Sequence, residues 1–464
     1  MPRHLPTDCL NDIFEHLENK DLRTCLLVNS LWNVISVRIL WRTIQNFNTL
    51  IACLPNDSKE ILQANEIIIS TSRPPLFNYI TFINCLSVND VGEAIENFLG
   101  YRQLITPQWV DKNKIMVMTR EIFKMLMNQI SLKSLSFYSG SVSISTYPGA
   151  VECLRNLSEF TCSSNISSEF FHQLSRICHN LQSLKITFER SISNGLTDLI
   201  TVQKNLRHFD VLKKYFDEDL DLTRSLTRLP NTLTKLHIDG DYLPLSTIIH
   251  KLTNLQELVL SCDNEDFEGI QHLELPHLQI LEFKRKYPNS KYLIKFLEKN
   301  GKNLKVIDLG KLGNGSLHFT ISKFCPNLKS LITMINRLEP LKDVLNNCQQ
   351  LESIDIFCGY HGSLSERLLL KTIVDCSPER FHELKLDFGH YIFPEPPSHW
   401  GLMSIFERWA NRVPCIPLTL TIITNLYDSE VDVEVNEIIE KYKKLGVIKE
   451  CKINNVYFVR SGCH

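Results

Sequence analysis

The chain has 464 residues, 43% of them apolar, and its 50 Lys plus Arg against 52 Asp plus Glu leave a formal charge of −2. That balance argues against nucleic acid as a partner, because phosphate neutralisation needs a strongly basic surface. It gives no sign of a membrane partner either: Pro6 and Asp8 interrupt any apolar leader at the N-terminus, and no stretch reaches the roughly 18 apolar residues of a spanning helix.

Residues 1–47 read as a unit of their own. Leu10, Ile13, Phe14 and Leu17 follow the i, i+3, i+4, i+7 stripe of a helix, with Thr7 or Asp8 as its cap and Pro6 just outside. Glu18-Asn19-Lys20 breaks the stripe. Asp21 then opens a second helix carrying Leu22, Cys25, Leu26 and Val28, and a third stretch carries Trp32, Ile35, Ile39, Leu40 and Trp41. Three helices this short cannot hide so many large side chains, so one face should be covered by a partner or by the following domain.

The ordered residues Leu5-Pro6-Thr7-Asp8-Cys9-Leu10, Ile13-Phe14, Leu17, Asp21-Leu22, Val28-Asn29, Trp32 and Leu40-Trp41-Arg42 resemble the F-box. The resemblance covers about a tenth of the chain. It implies docking to the small adaptor subunit of an SCF-type cullin-RING ubiquitin ligase, and through that adaptor to cullin. The adaptor-binding positions it implies are Leu5, Pro6, Asp8, Leu10, Ile13, Phe14, Leu17, Leu22, Val28 and Trp32. Cys9 and Cys25 stand where aliphatic residues are more usual, and Leu31 where a basic residue is common. The bland alternative is an amphipathic cap that merely seals the first repeat.

Residues 48–131 contain Phe77-Ile80-Phe82, which reads as a degenerate first repeat joining the F-box to the solenoid, with helical stretches near 89–99 and 119–130. From residue 132 to 415 the pattern L-x-x-L-x-L recurs eleven times, beginning at Leu132, Leu157, Leu181, Leu206, Leu233, Leu255, Leu278, Leu304, Leu328, Leu351 and Phe381. Successive starts differ by 22 to 30 residues, which marks leucine-rich repeats. The last two apolar positions of each unit are two apart, so a short strand turns both toward the core. The segment after the strand is often helical, as in 168–178, 290–300 and 339–348. Residues 416–464 read as degenerate capping repeats, around Leu418-Leu420 and Ile448-Cys451-Ile453. The expected fold is therefore α/β: a three-helix F-box, then an irregular horseshoe solenoid with a parallel sheet on its concave face and helices outside.

Cys178, Cys325 and Cys348 stand three residues before the first leucine of their units and resemble the cysteines of the repeats that often follow an F-box. They read as packed helix-end residues. Fifteen cysteines without a C-x-x-C pair give no metal spacing, and they suggest reduced thiols in a cytoplasmic or nuclear protein. An Asn or Cys following the strand occurs only at Asn165 and Asn336, so most turns must satisfy their backbone in another way.

No glycine-rich phosphate loop, H-E-x-x-H or G-x-S-x-G stands in the sequence; neither a catalytic role nor a cofactor is expected. The side chain between the two inward strand residues faces the concave side. From the sixth to the tenth unit these residues, Val259, Glu282, Asp308, Ile332 and Asp355, are acidic with apolar gaps. They suggest a protein target with basic and aliphatic residues, or they only keep an exposed sheet soluble. The acidic run Asp217 to Asp221 and the basic run Lys284 to Lys286 read as solvated loop faces. Two readings of the whole remain open: a substrate-recognition subunit of an SCF-type ligase, or a ligase-independent interaction scaffold.

Overall fold

A computed structural model describes residues 5–69, 75–103, 111–139, 143–189, 193–213, 226–239, 249–261, 268–286, 289–311, 313–358, 366–388, 399–424 and 433–455. The acidic run 217–221 lies outside these residues. The chain divides into two compact units, Met1–Pro230 and Asn231–His464.

The first unit opens with three helices, α1 (Thr7–Glu15), α2 (Asn19–Cys25) and α3 (Ser30–Leu40). Asn29 caps α3 by accepting a 2.9 Å hydrogen bond from the Trp32 amide, which is why Asn precedes Trp by three positions. Trp32 in turn meets Phe14 edge-to-face at 5.0 Å. Leu10, Phe14, Leu22, Ile35 and Leu40 close the small core. Two short helices come next, α4 (Phe47–Ala52) and α5 (Asn56–Ala64).

Strand–helix repeats make up the rest of this unit. In chain order they are β1 (Cys85–Ser87), α6 (Val88–Gln103), α7 (Lys112–Gln129), β2 (Ser134–Phe137), α8 (Ala150–Leu154), β3 (Glu159–Ser163), α9 (Ser168–Ile177), β4 (Ser183–Phe188), α10 (Asn194–Val202) and β5 (His208–Lys213). The five strands pair in parallel in sequence order. The first strand lies after Phe77–Phe82, not within it: residues Tyr79–Phe82 form a 3-10 turn. Ile80 of that turn, Ile83 just after it and Leu86 of β1 are the buried residues there.

The second unit continues the plan with nine parallel strands: β6 (Lys235–Asp239), β7 (Glu257–Ser261), β8 (Ile280–Phe283), β9 (Val306–Asp308), β10 (Ser330–Ile335), β11 (Ser353–Cys358), β12 (Glu383–Asp387), β13 (Leu418–Thr424) and β14 (Ile448–Asn455). Its α-helices among the described residues are α11 (Ser290–Asn300), α12 (Gly315–Phe324), α13 (Leu338–Asn347), α14 (Glu366–Cys376), α15 (His399–Ala410) and α16 (Val433–Lys444). All eleven sequence-read units carry a strand at the expected place, and two more strands begin at residues 418 and 448. The inward positions are packed almost dry: Leu184, Ile186, Leu258, Leu281, Ile307 and Leu331 are all fully buried.

Two devices satisfy the backbone where an asparagine after the strand is missing. Ahead of the strands, one carbonyl accepts two consecutive amides of the next repeat. Lys133 O takes Ser158 and Glu159, Ser158 O takes Gln182 and Ser183, and Lys305 O takes Lys329 and Ser330, all at 2.8–3.0 Å except Ser158 O to Gln182 at 2.7 Å. At the helix ends, Cys178 Sγ donates to Leu154 O (3.0 Å) and Cys348 Sγ to Cys325 O (3.6 Å). Gln203 and Asn300 occupy the corresponding place in other repeats with more bonds. Gln203 accepts from Leu181 N and donates to Cys178 O and Leu199 O. Asn300 accepts from Leu275 N and donates to Leu273 O and Phe296 O.

Candidate functional site

The structure sorts the ten adaptor-binding positions into two groups. Leu10, Phe14 and Leu22 are 6%, 2% and 2% exposed; they are the core of the three-helix module and present no surface to a partner. The same helical stripe that can mark a docking face also marks the face a helix turns toward its neighbours, and these three positions take the second role in this module. Leu17 and Trp32 are half-buried against that core. Leu5, Pro6, Asp8, Ile13 and Val28 are exposed.

Three residues the motif did not single out as docking positions join them: Leu27, Leu31 and Val34 are also exposed. Leu31 and Val34 are three apart on α3 and so share a face, and Leu27 and Val28 sit in the turn just before it. Leu5, Ile13, Leu27, Val28, Leu31 and Val34 are six of the fifteen exposed large apolar residues among those described. Isolated exposed leucines are ordinary, but six within thirty residues is a concentration, and it falls on the module that reads in the sequence as a docking unit.

The other end of the module is tied into the repeats. Trp41 packs on Tyr79 with ring centroids 4.4 Å apart, and Phe77 and Phe82 lie against the same core. Arg42 O accepts from Asn84 and Cys85 at 3.1 and 2.9 Å, the same bifurcated link that joins one repeat to the next. Arg42 also pairs with Glu15 at 2.5 Å, and that guanidinium holds the Glu15 carboxyl below its ordinary value. The third helix therefore leads into the first rung of the repeat ladder with no slack between them.

On the sheet face turned away from the helices, the register aligns His237, Val259, Glu282, Asp308, Ile332, Asp355, Lys385, Thr421 and Lys452 in a single row across the second unit. The five sequence-read target-binding residues do lie side by side. Their carboxylates are not free but paired with lysines. Lys284 Nζ bridges Glu282 (2.6 Å) and Asp308 (3.4 Å), and Asp308 Oδ1 also accepts the Gly310 amide at 2.8 Å. Asp355 is paired with Lys385 at 2.5 Å; burial pushes its carboxyl up, and Lys385 opposes that. Val259 is buried. Lysines from the following turn and from the neighbouring strand meet these carboxylates, a neutralisation the one-residue-per-strand reading could not see. In the same region, Lys311 and Lys385 lie 5.5 and 6.0 Å from the centroid of the Phe357 ring.

Among the described residues, no group of His, Cys, Asp and Glu has the arrangement of a metal site, and no helix is long and apolar enough to cross a membrane. The thirteen described cysteines are all free thiols. Desolvation pushes the thiols of Cys153, Cys178 and Cys348 up to about 12 and raises those of Cys162 and Cys325 further. These are packing groups, unsuited to nucleophilic chemistry.

Residues 3–46 match the family model described as F-box-like. After this F-box-like segment the chain runs on as repeated strand–helix units of a parallel α/β solenoid-like array. Solved structures similar to it include the yeast Rad7–Elc1 complex, at 13% identity, covering 79% of this chain and 97% of that one with a TM-score of 0.36. Another is the Drosophila Toll–Spatzle complex, at 16% identity, covering 67% of this chain and 50% of that one with a TM-score of 0.30. No curated protein sequence matches the chain.

Proposed function

We propose that this protein is a non-catalytic receptor subunit of an SCF-type ubiquitin ligase, acting in the cytoplasm or nucleus. The three-helix module docks to the ligase adaptor, and the repeat face holds a protein target for ubiquitination. The observation that carries this reading is the exposed apolar set on the F-box-like domain, coupled to the Arg42 link that fixes the module to the first strand. The mechanism it supports is positional: a target held on the same chain that docks to the ligase is presented to a recruited conjugating enzyme at high effective concentration. The module's buried end, around Trp41 and Tyr79, also serves as the N-terminal cap of the array. The ligase-independent scaffold reading rests on that role, but a cap alone would leave Leu27, Val28, Leu31 and Val34 without a purpose.

The test is binding of the full chain to the SCF adaptor subunit, compared with Val28→Asp and Leu31→Asp variants whose folding is checked by circular dichroism. Saturable binding by the wild-type chain, weakened at least tenfold in both folded variants, supports the proposal. A well-folded wild-type chain that does not bind leaves the module as a cap and favours the scaffold.

A further inference from the structure

Where the module runs into the first two strands, the first unit contains a cavity of about 310 Å³, within the size range of small-ligand and side-chain pockets. One wall is the exit segment of the module, with Ile44 and Phe47; Val91 and Ala94 of α6 form another. The floor is built from outward-facing strand positions whose side chains are all small: Cys85 and Ser87 of β1 beside Ser134 and Ser136 of β2. In the second unit the positions equivalent to Ser87 and Ser136 hold Glu282, Asp308, Asp355 and Lys385, long or ionised groups that fill and neutralise the face. Here the small residues leave a depression.

Its lining mixes polar residues, Thr43, Gln45, Asn46 and three serines among them, with apolar ones. The pocket has one ionised lining residue, Asp90, in the first turn of α6. The Asp90 amide is already capped by Ser87 Oγ at 3.2 Å, so the helix start does not depend on the carboxylate. Asp90 makes no ion pair among the described residues, in contrast to Glu282, Asp308 and Asp355. A single carboxylate beside serine hydroxyls, in a pocket that also presents Ile44, Phe47 and Val91, complements a cation carried on a hydrocarbon stem.

We propose that this cavity receives a lysine or arginine side chain of the protein target, the stem lying between Ile44, Phe47 and Val91 and the charged head meeting Asp90. The proposal rests on the reading of the repeat face as the target-binding part. It places the anchor of that target next to the docking module, a short rigid distance from the ligase.

The test uses the full chain and three capped tripeptides, acetyl-Ala-Lys-Ala-amide, acetyl-Ala-Arg-Ala-amide and acetyl-Ala-norleucine-Ala-amide, with binding followed by ligand-observed saturation-transfer NMR. The expected result is saturable binding of the lysine or arginine peptide, with the neutral norleucine peptide at least tenfold weaker. Binding should fall at least tenfold in Asp90→Asn, which removes the charge, and in Ser136→Phe, which closes the floor and leaves Asp90 in place. Equal binding of all three peptides, binding unchanged in both variants, or no saturable binding at millimolar peptide would each overturn the proposal. Adaptor binding, measured on the same samples, reports separately on the ligase reading, since neither Asp90 nor Ser136 lies in the three-helix module.

Discussion

Replacing Gln203 by Ala tests how these repeats hold together without an asparagine after the strand. Gln203 is 2% exposed and its side-chain amide makes three hydrogen bonds: it accepts from Leu181 N at 3.0 Å and donates to Cys178 O at 2.8 Å and Leu199 O at 2.9 Å. Leu181 is fully buried and so is Cys178, leaving water no easy route to the stranded groups. A buried donor or acceptor that loses its partner costs about 1–3 kcal/mol. Counting one amide and one carbonyl as stranded gives a loss of ~3 kcal/mol in the local opening free energy, roughly a hundredfold in protection. Native-state hydrogen exchange at the Leu181 amide reads this directly, without requiring the whole chain to unfold in one step. Cys178→Ala, which removes a single weak thiol donor and a small side chain, should cost roughly half as much. A Gln203→Ala loss below about 0.5 kcal/mol at Leu181 would refute the argument that the helix-end amide bears this junction.

Phe14→Ala, which deletes a ring packed on Trp32, should destabilise the three-helix module by about 3–5 kcal/mol. It should abolish adaptor binding through unfolding, whereas Val28→Asp should reduce binding with little change in the circular dichroism melt. His318 is buried beside Thr333, with Nε2 2.9 Å from Oγ1, and desolvation lowers its pKa from 6.5 to about 4. Because its folded value lies below its unfolded one, the stability it maintains is present above pH 6.5 and is lost as pH falls toward 4. His318→Gln should flatten the stability–pH curve across that window, and an unchanged curve would show that the histidine is not the titrating group. Under native conditions a maleimide reagent should label Cys9 and Cys415, the exposed thiols, and spare Cys153, Cys178, Cys325 and Cys348 until denaturant is added. Prompt native labelling of those four would contradict their packing role.

Much of the fold was written in the spacing of single residues. A strand with period two, repeated at leucine intervals, places Leu184 and Ile186, or Leu258 and Leu260, inward whatever else the chain does. The order from Leu5 to Arg42 likewise marks the F-box-like helices. Cys178, Cys325 and Cys348 were legible as helix-end residues because they keep a constant distance from the next leucine. Gln203 keeps the same distance from Leu206, but that its amide and that of Asn300 do the work of the cysteines appears only when they are seen spanning one repeat to the next.

Only tertiary structure could divide a single amphipathic stripe into core and surface. Phe14 and Ile13 are neighbours in one motif, yet one is buried in the module's core and the other stands exposed. Only tertiary structure could pair the acidic row with its lysines, because Lys284 reaches Asp308 on the adjacent strand and Lys385 reaches Asp355 from the next repeat. The cavity beside Asp90 has the same origin: Phe47, Asp90 and Ser134 are far apart along the chain and meet because the module's last turn is hydrogen-bonded to the first strand. Local periodicity fixes which way each residue points along its own element. Which residues remain exposed, neutralised or gathered into a pocket depends on long-range packing, to which no single stretch of sequence has access.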